Sequence, residues 1–476
     1  MTRNVVHQIV SHDLCIGCGV CAGICPADAI EMQFNNMGLY TPVLLENRCV
    51  EKCDLCLRVC PFNDSIENEE ALSKKIFARN IGIGHHPETG HFLDCYLGFS
   101  NRFEQRVNGA SGGLATWFLQ RLIEEDMADR VTSVVATRNQ PQKLFKFDIL
   151  DTPDSIQQAS RSCYYPVELS DAIHRILTTE GRYAVTGLPC FVKALRLAME
   201  NNRKLKHRIT ALVGLVCGHT KSKFFVEYLA ALGGIDPKKV TAVKFREKNI
   251  NRSSNDYGIK LIWQENDQEK ETTLFGTDGI SRAWAHDYFK PSPCYFCDDI
   301  FAETADIVFM DAWLPQYTPD HRGHSLVINR QESFKSIWEM ALGTSETNIE
   351  PVDIETVIRS QQGVLSTKRE GLQFRLLLAR KAGKKMLCKR VLPANSGNII
   401  LRRLWRLKQE LSSLTYSVWR EEQNLHRFEQ STQGIEQEIS FLEKLHRFQL
   451  MVEENRLGTA LQKRAMRFCK KIWNIK

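Results

Sequence analysis

The sequence has no apolar run close to the roughly 20 residues that a membrane-crossing helix needs; its longest, such as Ile209 to Val216, stop far short. An integral membrane protein is therefore not expected. The segment Met1 to Asp13 is polar and lacks the apolar core of a secretion signal, so the expectation is a cytoplasmic protein. Neither glycine nor proline, at 28 and 15 residues, is abundant enough for a collagen-like or disordered chain. A net charge of +7, partly concentrated in the C-terminal tail, is too modest to demand a nucleic-acid partner. What remains is an ordinary globular composition, 43% hydrophobic and 25% charged, and 476 residues are too many for one compact core.

Cysteine is plentiful. Sixteen thiols without a secretion signal point to metal ligation, because the cytoplasm keeps disulfides reduced. Cys15, Cys18, Cys21 and Cys25 follow the spacing C-x2-C-x2-C-x3-C and are followed by Pro26, the bacterial ferredoxin run. Cys49, Cys53, Cys56 and Cys60 repeat it with a first gap one residue wider, again before a proline, Pro61. A tight loop supplies three thiolates of a cubane, and in two-cluster ferredoxins the fourth comes from the other run. One 4Fe-4S cluster is thus assigned to Cys15, Cys18, Cys21 and Cys60, the other to Cys49, Cys53, Cys56 and Cys25. Zinc knuckles or buried thiols are the alternative, made improbable by two matched sets of four.

Residues 65 to 90 read as a polar, irregular linker. From Cys95 to about Arg330, short β-branched runs (Val131 to Thr137, Tyr183 to Thr186, Ile209 to Cys217, Asp306 to Met310) alternate with helical stretches, which argues for an α/β domain with a mainly parallel sheet. Asn108-Gly-Ala-Ser-Gly-Gly113 leads into a helix over Leu114 to Asp126. Its small residues and Ser111 suit the pyrophosphate of a dinucleotide, and equally an ordinary capped helix start. Cys190 and Cys217 fall at carboxyl ends of strands, where parallel sheets bind ligands, and Cys294-Tyr-Phe-Cys297 adds two thiols on a proline-flanked loop. These four are candidates for a third 4Fe-4S cluster, a structural zinc site or unrelated buried cysteines.

Together with Ala159-Ser-Arg-Ser-Cys-Tyr164, Gly187-Leu-Pro-Cys190, Gly214-Leu-Val-Cys217, Cys294-Tyr-Phe-Cys-Asp298 and Ala305-Asp-Ile-Val-Phe-Met-Asp311, these motifs give a sequence that resembles the coenzyme F420 hydrogenase/dehydrogenase beta-subunit family over roughly two-thirds of its length. The resemblance implies FAD in the central domain, with Asn108, Gly109, Ser111, Gly112, Gly113 and Arg161 as cofactor-binding residues. It also favours the third cluster on Cys190, Cys217, Cys294 and Cys297. A flavin joins two-electron chemistry to one-electron carriers. Met310 stands where relatives often have glycine, and Arg161 where a lysine is usual. The substrate, coenzyme F420 or another organic acceptor such as a polysaccharide-pathway intermediate, is left open by these departures.

The expected organisation is an α+β ferredoxin-like 2x4Fe-4S domain over 1–80, an α/β flavoprotein domain with a mainly parallel sheet over 90–330, a helical extension over 331–395 and a basic helical tail over 396–476. In the tail, Leu401 to Leu425 and Ile435 to Leu457 show helical apolar spacing. Basic residues (Arg402, Arg403, Arg406, Lys463, Arg464, Lys470, Lys471) cluster there with Trp405 and Trp473. A hairpin packed on the protein or on a dimer partner is preferred over a pair of membrane-surface helices. Cys95, Cys163, Cys388 and Cys469 read as ordinary thiols. His219 and His286 lie near the motifs without an assigned role, and no catalytic acid or base is named. The expected partners are a ferredoxin-like or other electron carrier and a diffusible organic substrate. The competing function is a non-catalytic electron-transfer subunit docking on a separate reductase; a zinc-stabilised scaffold is a third.

Overall fold

The computed structural model describes residues 3–63, 66–137, 140, 142–384 and 387–453. The basic residues expected from Lys463 onward, with Cys469 and Trp473, lie outside them.

An eight-stranded sheet organises the chain, in the order Thr347–Pro351, Asp94–Ser100, Ser325–Asn329, Ile307–Asp311, Ile209–Leu215, Tyr183–Gly187, Arg130–Ala136 and Phe145–Leu150. The four strands from Ile307–Asp311 to Arg130–Ala136 run parallel. The strands flanking them pair antiparallel, so the expected parallel sheet is the centre of a mixed one. The central strands are largely buried because helices cover both faces: Tyr183–Gly187 is buried at every position. On one face Trp117 and Phe118 of the helix Leu114–Glu124 pack with Trp338 of Lys335–Gly343, the rings of Phe118 and Trp338 stacked at 5.8 Å. The helices Ser170–Thr178 and Pro189–Asn201 cover the other. A second, three-stranded antiparallel sheet, Val240–Glu247, Gly258–Glu265 and Gln268–Leu274, stands beside it.

The N-terminal segment is a hairpin of Ile30–Phe34 and Tyr40–Leu44 with the short helices Val20–Gly23 and Leu55–Arg58. It docks on the helix Ser170–Thr178 at two glycines. A Cβ on Gly19, which has φ +77°, would stand 2.8 Å from Leu169 N, and one on Gly23 would stand 2.8 Å from Ile173 Cβ. Neither position can accommodate a side chain. The segment's core is continuous with that of the large sheet, running from Val5 and Cys60 through Ile173 and Leu195 to Ala302 and Leu387.

The polar stretch expected as linker contains the helix Glu69–Phe77, started by Asn68, whose side chain accepts from Ala71 N at 2.9 Å. Only Leu72, Ile76 and Phe77 mark its inner face in sequence, too short a pattern to stand out; Leu72 and Phe77 are buried.

The C-terminal helices Ile399–Glu422 and Leu425–Glu453 form a hairpin seated on the same chain. Leu404, Leu407, Leu411 and Trp419 share a core with Phe224, Tyr228 and Phe289. Hydrogen bonds lock the seat: Phe289 N donates to Thr415 Oγ1 at 3.1 Å, Tyr416 OH to Phe289 O at 2.8 Å and Ser412 Oγ to Lys290 O at 3.1 Å. The apolar stripe read from the sequence is thereby used inside the molecule. Among the described residues no helix is long and apolar enough to cross a membrane.

Candidate functional site

The two amino-terminal cysteine runs interleave in space. Cys15, Cys18, Cys21 and Cys60 line one small cavity, closed by Val5, Met32, Val59 and Phe62. Burial pushes the Cys15 thiol up to about 11 and Cys18 to about 12, while Cys60 rises through burial and the neighbouring Cys18. Thiols this deep ionise only if a cation compensates them. Around Cys56 a second set gathers: burial raises it, and the charges of Cys53, Cys49 and Cys25 raise it further. Cys25 Sγ accepts from Ala29 N at 3.4 Å. Each run thus sends its last cysteine to the other.

Cys190 sits in the first turn of the helix Pro189–Asn201, just beyond the buried strand Tyr183–Gly187. Cys217 follows the strand Ile209–Leu215, its N–H bonded to Ile300 O at 3.1 Å. Cys294 and Cys297 belong to a turn of 3-10 helix, Ser292–Phe296, and its cap. The four converge: burial first, then the charges of Cys297, Cys217 and Cys294, hold Cys190 well above the usual thiol range, and Cys18 of the N-terminal segment adds to the effect. Among the described residues no three His, Cys, Asp or Glu are spaced for a single metal ion. Thiols around a cubane stand farther apart, separated by the width of the cluster.

Cys217 and Cys294 form part of the wall of a cavity of about 1230 Å³, large by the measure of small-molecule sites. It reaches from Ile16, Gly17 and Tyr40 of the N-terminal segment, past Gly109, Ala110, Ser111 and Gly113, to Trp405, Lys408, Glu443 and His446 of the C-terminal hairpin. Of the glycine-rich segment, Asn108 and Gly112 stay behind this wall. Asn108 O accepts from Ser160 Oγ at 3.4 Å. A Cβ on Gly112 would lie 2.5 Å from Gly98 O and 2.6 Å from Ser325 N, so this glycine serves the packing of the helix entry against the sheet. Ser111 Oγ donates to His324 O at 2.5 Å. Arg161 reaches the wall with its guanidinium paired to Glu247.

Several wall residues escape a sequence reading because no motif marks them. Arg246 forks onto Asp311 at 3.1 and 2.7 Å, donates to Tyr164 OH at 2.8 Å and lies over the ring of Tyr257. Its strand carries φ +60° at this position, which aims the side chain inward. Lys248 Nζ, near the cavity's glycine-rich end, holds Ser111 O at 2.7 Å and Arg322 O at 2.6 Å. Lys221 is pulled down to about 7 by burial and donates to Tyr288 O at 2.8 Å. His219 Nε2 is buried without a hydrogen-bond partner, its ring 4.6 Å from that of Trp284. Burial holds that imidazole well below its ordinary value, hence neutral. Cues in the sequence were present for Tyr164, Asp311 and His219, which belong to or adjoin recognisable motifs, and not for Arg246, Lys248 or Lys221.

A hairpin-based segment with two cysteine runs fused to an α/β sheet, with thiols and a large cavity at the strand ends, defines the class: a ferredoxin-type module joined to an α/β domain that carries a large cavity. Residues 14–63 match the 4Fe-4S dicluster domain. Residues 95–174 and 180–355, together more than half of the chain, match the N-terminal and C-terminal models of the coenzyme F420 hydrogenase/dehydrogenase beta subunit. The chain belongs to this family.

Among curated proteins it is 22% identical over 219 residues to a subunit of the F(420)H(2) dehydrogenase of Methanosarcina mazei, covering 44% of this chain and 55% of that one. It is 22% identical over 352 residues to the coenzyme F420-dependent sulfite reductase of Methanocaldococcus jannaschii, covering 73% and 49%. The chain thus spans about half the length of these relatives. A chain of the xenon-derivatised F420-reducing [NiFe] hydrogenase complex of Methanosarcina barkeri superposes with a TM-score of 0.48 at 17% identity, covering 64% of this chain and 99% of that one.

Proposed function

We propose that this protein is a cytoplasmic iron-sulfur flavoprotein oxidoreductase with three 4Fe-4S clusters and one FAD. One observation carries the reading: Cys190, Cys217, Cys294 and Cys297 converge, with Cys217 and Cys294 in the wall of the large cavity and Cys190 within electrostatic reach of Cys18, so the thiol sets line up from the cavity toward the N-terminal segment. FAD, when bound, exchanges a hydride with an organic substrate and gives up or accepts electrons singly.

The cavity suits such a group. Its volume, the aromatic faces of Trp284 and Tyr164, and the unpartnered Nε2 of His219 await a flat, polar-edged ligand. Gly109, Ala110, Ser111 and Gly113 bring backbone to the wall, where a pyrophosphate would lie; Asn108 and Gly112 support that turn from behind. Arg161 and Arg246 supply positive charge, the latter held rigidly by Asp311. At the cluster end, Cys15, Cys18, Cys21 and Cys60 would hold one cubane, Cys49, Cys53, Cys56 and Cys25 the second, and Cys190, Cys217, Cys294 and Cys297 the third. The buried walls around Cys18 and Cys60 keep water from the sulfurs. The substrate suggested by the family and by the names of its relatives is coenzyme F420, and the electron partner is a ferredoxin-like protein or another member of a larger complex.

Anaerobic purification tests this directly. Roughly twelve irons and one FAD per chain are expected, falling to about eight irons in Cys190→Ala, with the flavin bleached by reduced coenzyme F420. Eight irons in the unaltered protein reject the third cluster. Clusters without FAD favour the non-catalytic electron-transfer subunit, and a colourless protein rejects both.

A further inference from the structure

Lys368 ends the helix Gln362–Lys368, beyond the last residue matched by the family models. Its ammonium is buried, with the residue 3% exposed, and donates to Cys297 Sγ at 3.3 Å and to Asp299 O at 2.8 Å. Among the described residues this is the cysteine sulfur that receives a charged donor. The outer set around Cys56 has a backbone N–H, from Ala29 to Cys25, at 3.4 Å. Lys193 acts on Cys60 through its charge and is itself paired with Glu69 at 3.3 Å.

An iron-sulfur cluster gains one negative charge when it accepts an electron, and no bond forms or breaks. A fixed cation at a ligand sulfur therefore favours the reduced state, and more so where water is excluded. We propose that Lys368 sets the reduction potential of the cluster held by Cys190, Cys217, Cys294 and Cys297, making it the electron sink between the cavity and the N-terminal clusters. This rests on the third cluster assigned above. Lys368 is a positioning residue, acting on the cluster through Cys297 from a place in the wall of the large cavity.

The test uses full-length protein with its clusters reconstituted anaerobically, poised with dithionite across a range of potentials, and read by electron paramagnetic resonance. In Lys368→Met, electron occupancy of one cluster should shift about tenfold toward the oxidised form, equivalent to about 59 mV for a one-electron couple. The other two signals should stay in place, and Lys368→Arg should titrate like the unaltered protein. If the methionine variant loses the cluster, Lys368→Gln, which keeps an N–H donor without the charge, should shift in the same direction. An unmoved potential in a variant that keeps all three clusters overturns the proposal, as does an equal shift of all three. Eight irons and two signals in the unaltered protein would instead overturn the cluster on which it rests.

Discussion

At the residue scale, the feature that most constrains the cavity is the pair Arg246 and Asp311. Both side chains are mostly buried, 8% and 18% exposed, and joined by two hydrogen bonds. Breaking a buried pair by removing one partner costs about 3–5 kcal/mol, because the other charge stays behind without compensation. Asp311→Asn should therefore lower stability by an amount of that order in urea unfolding, and with it weaken the retention of FAD proposed above. A loss below about 1 kcal/mol would mean that the pair behaves as a surface salt bridge. Asp311 was legible in sequence as part of a motif; Arg246 was not, since a single arginine in a strand of the small sheet gives no hint that a reversed backbone dihedral turns it inward.

At the element scale, the C-terminal hairpin is held by a cluster with its own pH window. His286 lies 3.7 Å from both Glu436 and Glu443, and Lys408 lies 2.8 Å from Glu443. The ion pair with His286 holds the Glu443 carboxyl down to about 2, though burial opposes it; burial also opposes the rise of His286, which Glu436 and Glu443 nonetheless bring above its ordinary value. Glu443 therefore stabilises the seat fully above its unfolded value of about 4.3 and loses that contribution as pH falls toward 2. His286 contributes fully below about 6.5 and loses its share as pH rises through its folded value. Hydrogen exchange over the helix Leu425–Glu453 should be slowest, after correction for intrinsic rates, between about pH 5 and 6.5. His286→Gln should abolish the loss on the alkaline side.

The spacing of apolar residues revealed the two long helices but not their destination. The same amphipathic stripe suits a membrane surface, a second chain or this protein's own cavity. What selects the last is the set of acceptors on Phe289 and Lys290, residues more than a hundred positions earlier.

At the scale of the whole molecule, the cysteine spacings revealed the ferredoxin module because ligand geometry is local there. The third thiol set was legible as a candidate group but left open between a cluster, a zinc site and unrelated thiols, since its members come from three places that a sheet edge brings together. The sheet's antiparallel flanks were hidden for a similar reason: the direction of Asp94–Ser100, Ser325–Asn329 and Thr347–Pro351 depends on long connections, and the last, Thr-Asn-Ile-Glu-Pro, carries little apolar signal of its own. The continuous core has a consequence for stability. All eight tryptophans, from Trp117 onward, lie outside the ferredoxin module and report on the rest of the chain. Cys53→Ala, which removes one ligand of the outer set, should nevertheless lower the thermal midpoint seen by tryptophan fluorescence by several degrees, since about 1 kcal/mol corresponds to 2–4 °C in a domain of 150–250 residues. An unchanged midpoint would show that the module unfolds independently.

Lys368 lies 71 residues after the sulfur it touches, and Lys389 lies 91 residues after Asp298, which it contacts at 3.2 Å. At about 5–20 residues per second, a ribosome takes several seconds to deliver these lids after the last candidate ligand has emerged. The inner thiols are covered only once these residues arrive, when the helix ending at Lys368 and the irregular segment at Lys389 bring two buried ammonium groups beside them. The order of the chain thus leaves the closing of that site to its later-synthesised part.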